Sequence, residues 1–62
     1  MNHPIKELSK IPVGSLVRHN KKLFFLCNGL DGKIVQDTDA HWHFVRDLEW
    51  KTFEIVFLNE KT

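Results

Sequence analysis

Lys22-Leu23-Phe24-Phe25-Leu26-Cys27-Asn28-Gly29-Leu30-Asp31-Gly32-Lys33-Ile34-Val35-Gln36-Asp37 is the stretch on which the fold turns. Two apolar runs of strand length flank a pentapeptide that contains Asn-Gly and Asp-Gly. These dipeptides take the positive φ of a tight hairpin turn more readily than any others. The spacing predicts two antiparallel strands, residues 22–27 and 33–37, joined by a turn at 28–32.

The same punctuation continues outward in both directions. Residues 14–18 read as a strand, closed by a polar turn at His19-Asn20-Lys21 in which Asn20 tolerates a left-handed backbone. Thr38-Asp39-Ala40 turns the chain again, and residues 41–45 form the next strand. Val45 and Leu48 then lie three apart, the spacing of a single 3-10 turn. Residues 52–58 close the pattern, with Phe53, Ile55 and Phe57 on one face by the period of two. Residues 1–11 form an N-terminal arm, extended or with one helical turn over residues 5–10. Pro12 ends it, because the residue before a proline avoids the helical region. Residues 59–62 are left as a short tail.

Five short strands, tight turns and a helical turn before the last strand point to an all-β, five-stranded small barrel in which closure hides the strand edges. Pro12-Val13-Gly14-Ser15-Leu16-Val17-Arg18 resembles the first strand of SH3-like barrels of the KOW and Tudor type. Phe44-Val45-Arg46-Asp47-Leu48-Glu49-Trp50 resembles their 3-10 turn and its exit. The likeness spans residues 12–58 and implies the barrel architecture. It implies no particular partner, since this fold serves many. The chain has no Tyr, so the paired tyrosines of proline-rich-peptide readers are missing.

A chain of 62 residues is one domain. Such a chain hides only about 60% of the surface its unfolded form exposes. Five Phe and two Trp supply volume for one core. Cys27 is the only cysteine, which excludes an intramolecular disulfide and fits a reducing compartment. Beside Phe25 and Leu26 it reads as a small buried hydrophobe. Residues 1–7 are polar and carry no secretory pattern. The longest apolar run, residues 23–27, is far short of the roughly 20 needed to cross a membrane. The expectation is a soluble, cytoplasmic protein without membrane contact. Net charge is +1 but unevenly spread, with residues 1–33 basic and residues 34–62 acidic.

Catalytic machinery is not legible. Ser9 and Ser15 lack a nucleophile motif, and residues 28–32 form a hairpin loop rather than a phosphate cradle followed by a helix. Asp37 with Asp39 and Asp47 with Glu49 read as exposed turn acids. No cofactor is expected. His41 and His43 project to one side of a strand, with Asp37 or Asp39 in reach as a third donor. Strand alternation alone explains that pattern, with Trp42 and Phe44 packed on the other side, so no metal ligands are assigned.

Three binding readings follow. The leading one is a protein-interaction module, an accessory or inhibitor protein that occupies the surface of a larger one. If Leu23, Phe25 and Cys27 face inward, Phe24 and Leu26 face outward. With Trp42 and Trp50 as aromatic anchors and Asp47, Glu49 and Glu54 as an acidic rim, they form the partner-binding surface. The second is nucleic-acid binding through the basic turn, Arg18, Lys21 and Lys22, with Lys33 beside it. The third is a homo-oligomer that builds a site at its symmetry axis, where His41 and His43 meet their copies.

Overall fold

A computed structural model of the chain describes residues 2–60. Six strands form one antiparallel sheet: β1 (Asn2–Pro4), β2 (Leu16–His19), β3 (Lys22–Gly29), β4 (Gly32–Asp37), β5 (Trp42–Phe44) and β6 (Thr52–Phe57). The sheet order is β1-β6-β2-β3-β4-β5. Two 3-10 segments, Ile5–Lys10 and Val45–Asp47, interrupt the strands. Among the described residues no helix is long and apolar enough to cross a membrane.

The expected five strands are all present, and β1 is a sixth. It comes from the N-terminal arm, which is extended at Asn2–Pro4, where it pairs with β6, and helical only afterwards. Pro4 suits this boundary, because its fixed φ fits both the end of a strand and the start of a helix. The described strands form an open series, with β1 and β5 at its two ends rather than joined to each other. The 3-10 turn before the last strand lies where Val45 and Leu48 placed it, closed by the Leu48 N–H donating to Val45 O at 3.2 Å. Residues 61–62 of the expected tail lie outside the described residues. Asn59 does not behave as a tail. Its N–H donates to the buried Ser15 hydroxyl at 2.9 Å and its Nδ2 to Val13 O at 2.8 Å.

Turn chemistry sets the hairpins. Asn20 and Lys21 both have positive φ, 54° and 68°, and connect the paired residues His19 and Lys22. That is a type I′ turn, whose twist matches the flanking strands. In the next hairpin Gly29 pairs with Gly32 around Leu30-Asp31. A side chain at Gly29 would meet Gly32 O at 2.7 Å, so the turn needs a glycine there.

The core is Leu8, Val17, Phe24, Leu26, Val35 and Phe53, with Ile5, Ile11, Val45, Leu48, Trp50 and Ile55 packed around it. Register explains the selection, since Val17 faces Phe24 and Leu26 faces Val35 across the ladders. Leu8, from the first 3-10 segment, is fully buried among them. Lys33 holds that segment in place, its Nζ donating to Ser9 O at 2.8 Å and also to Ile11 O.

This core reverses the expected alternation of β3. Phe24 and Leu26 point inward and are buried, while Leu23 and Phe25 are exposed. Cys27 is half-buried on the outward side rather than hidden. Both faces of this strand are apolar, so its own sequence does not choose between them. β2, β4 and the N-terminal segment choose. In β6 the alternation breaks midway. Val17 pairs with Ile55 but Leu16 pairs with Phe57, so Val56 is an extra residue in a β-bulge. Phe53 stays in the core, and Phe57 is turned to the outer face.

Candidate functional site

The outer face of the sheet carries an uncharged row built by register. Phe57 lies opposite Leu16, Leu16 opposite Phe25, Phe25 opposite Gln36, and Gln36 opposite Trp42. A second row beside it runs Cys27, Ile34, Phe44. Phe25, Trp42 and Phe57 are 49%, 53% and 56% exposed, values more typical of polar side chains. Trp42 and Phe44 meet edge to face, with ring centroids 5.3 Å apart, and with Leu30 and Ile34 they line a cleft of about 390 Å³. Arg46 caps Phe44, its guanidinium carbon 4.3 Å from the ring centroid. It is held there by donating to Asp31 O at 2.7 Å and to Asp31 Oδ2 at 3.2 Å.

The structure therefore moves the apolar surplus. Phe24 and Leu26 belong to the core and cannot form an exposed patch in this fold. Trp50 is half-buried, stacked on His19 at 4.3 Å and tilted against Phe24 at 4.8 Å. Trp42 is exposed, as an anchor requires, and is not packed down beneath His41 and His43. Asp47, Glu49 and Trp50 do come together, lining one cleft with Lys22, Leu48 and His43. Glu54 lies elsewhere, paired with Arg18 at 2.8 Å. The hydrogen bond and charge of Arg18 hold its carboxyl below the ordinary value despite partial burial.

The four cations of the basic turn do not converge. Arg18 and Lys21 share an open cleft with His19 and Glu54. Lys22 is turned to Asp37, with Nζ 3.5 Å from Oδ2. Lys33 is occupied by the carbonyls of Ser9 and Ile11.

Asp37 is the one buried carboxylate among the described residues. Its Oδ1 accepts the backbone N–H groups of Asp39 at 2.9 Å and His41 at 3.0 Å, which fastens the turn between β4 and β5. Burial pushes its carboxyl up, but those two N–H groups, with the charges of Lys22 and His41, outweigh it and hold the group below its ordinary value of 3.8. Asp37, Asp39 and His41 place their donor atoms within 4.8 Å of one another. His43 lines the same cleft as His41 and Asp37.

The outer row was missed in the sequence because it is a cross-strand property. Its one local signal was the doubly apolar character of residues 23–26. Compared with models of protein families, with curated proteins and with solved structures, the chain matches none.

Proposed function

We propose that this chain is a small protein-interaction module that docks through the outer face of its sheet onto an apolar surface of a larger protein. The observation that carries the reading is the register-built row Phe57, Leu16, Phe25, Gln36, Trp42. Adjacent strands lie about 4.8 Å apart, so the row extends about 19 Å. The molecule measures 29 × 28 × 21 Å, so the row crosses most of one face. A face of that size is what a standard interface uses, about 800 Å² per partner. Several large apolar side chains exposed together on one face mark an interaction site. The charges beside it, Arg18 with Glu54 and Arg46 with Asp31, are already paired within the chain and leave the row neutral. That favours an apolar partner surface over phosphates.

The action is steric occupation rather than catalysis. The Ser15 hydroxyl is buried and accepts a hydrogen bond from Asn59, so it is committed to the fold. The sequence β6-β2-β3-β4-β5 in the sheet, with a 3-10 turn before β6, supports an SH3-like barrel to which β1 has been added. The unpaired thiol of Cys27 supports a reducing compartment such as the cytoplasm.

The test is affinity capture from the native host with the wild-type chain, Phe25→Glu, and the Lys21→Ala/Lys22→Ala double variant. A charge at exposed position 25 leaves the core intact and removes the partner, while the double variant keeps it. Loss of the partner in the double variant alone would refute the reading. So would a capture in which the only bound species is a second copy of the chain.

A further inference from the structure

We propose that the turn between β4 and β5 is a metal site, in which Asp37, Asp39 and His41, with His43 as fourth ligand, hold a zinc-class divalent ion. Asp37 is the fixed point. Its side chain is 4% exposed, and two backbone N–H groups lock Oδ1, which leaves Oδ2 aimed at the His41 ring, 3.7 Å from Nδ1. The three donor atoms already lie within 4.8 Å of one another. Tetrahedral zinc with bonds of about 2.0–2.1 Å needs its ligand atoms about 3.3 Å apart. Asp39 and His41 are exposed, which leaves their side chains room to turn toward Asp37 Oδ2. His43 lies two residues along the same side of the strand and lines the same cleft of about 450 Å³. Two imidazoles with two carboxylates suit zinc and its transition-metal neighbours. Calcium and magnesium require more oxygens.

Lys22 makes the proposal specific. Its ammonium sits 3.5 Å from Asp37 Oδ2, where the ion would bind, and so competes with it. Removing that charge should tighten metal binding, an effect that an adventitious histidine site elsewhere would not show.

The experiment is calorimetric titration of the chain with zinc chloride, with the four histidine ring signals followed by NMR. One saturable site is expected, with shifts at His41 and His43 and none at His3 or His19. Asp39→Asn, His41→Gln and His43→Gln should each weaken binding at least about tenfold. Lys22→Met should strengthen it several-fold, and calcium should not compete. All three weakened variants alter exposed side chains, so circular dichroism should remain native. Absence of saturable binding would overturn the site. Binding indifferent to Asp39→Asn and His41→Gln would overturn it equally. An unchanged affinity in His43→Gln would overturn the four-ligand set, and competition by calcium the zinc assignment.

Discussion

Phe24 and Phe25 are identical and adjacent, and the fold treats them as opposites. Phe24 packs on Trp50 inside the molecule, while Phe25 stands half-exposed in the outer row. Phe24→Ala should cost about 3–5 kcal/mol, and Phe25→Ala less than about 1 kcal/mol, in urea denaturation. Equal losses would contradict the assignment of faces. This distinction was not legible in the sequence, because residues 23–26 are apolar on both parities and only their partners break the tie. The hairpin around them was legible, because Asn28 to Gly32 carries its own turn chemistry.

Asp37 gives a second test at this scale. Its folded pKa lies below the ordinary 3.8 that the unfolded chain would show. Its contribution to stability is therefore complete above that value and disappears as pH falls through the lower folded value. The urea midpoint should drop on acidification below about pH 4, and Asp37→Asn should flatten that drop. A wild-type acid limb no steeper than that of the variant would contradict the role given to Asp37.

At the scale of elements, two local devices decide the geometry. The β2–β3 turn places a lysine, Lys21, at φ 68°, a conformation that costs an ordinary side chain about 1 kcal/mol. Lys21→Gly converts the turn to Asn-Gly and should raise stability by about 0.5–1 kcal/mol in thermal or urea melts. Destabilisation would contradict the type I′ assignment. The second device is Lys33, a strand residue that holds the first 3-10 segment by its carbonyls. Lys33→Met should speed amide hydrogen exchange across residues 5–11 and leave β3 and β4 protected. The sequence placed Lys33 beside a basic turn, because a lysine in a list of cations reveals nothing about the carbonyls it will reach. The bulge at Val56 was equally hidden, since it exists only as a mismatch between β6 and β2.

At the scale of the whole molecule, the basic and acidic halves of the chain do not become separate surfaces. Arg18 pairs with Glu54 and Lys22 with Asp37, so strand order interleaves the charges. The outer face of the sheet keeps Phe25, Trp42 and Phe57 exposed. Asp47, Glu49 and Trp50, three of the residues read from the sequence as a partner surface, do share a cleft, while Phe25 and Phe57 stand exposed on the outer face. Five of the six strands and the 3-10 turn before the last could be read from residue pattern, whereas β1 could not. The outer face could not, because it is assembled from five strands by register.

The claim that this face is covered in the working complex is tested most directly by site-specific photo-crosslinking. One chain would carry a photoreactive phenylalanine analogue at Phe25, and a control would carry it at Lys10, an exposed position at the end of the first 3-10 segment. In extract of the native host, position 25 should yield one adduct with a larger protein and position 10 none. Adducts from position 10 but not 25, or an adduct only with a second copy of the chain, would contradict the account.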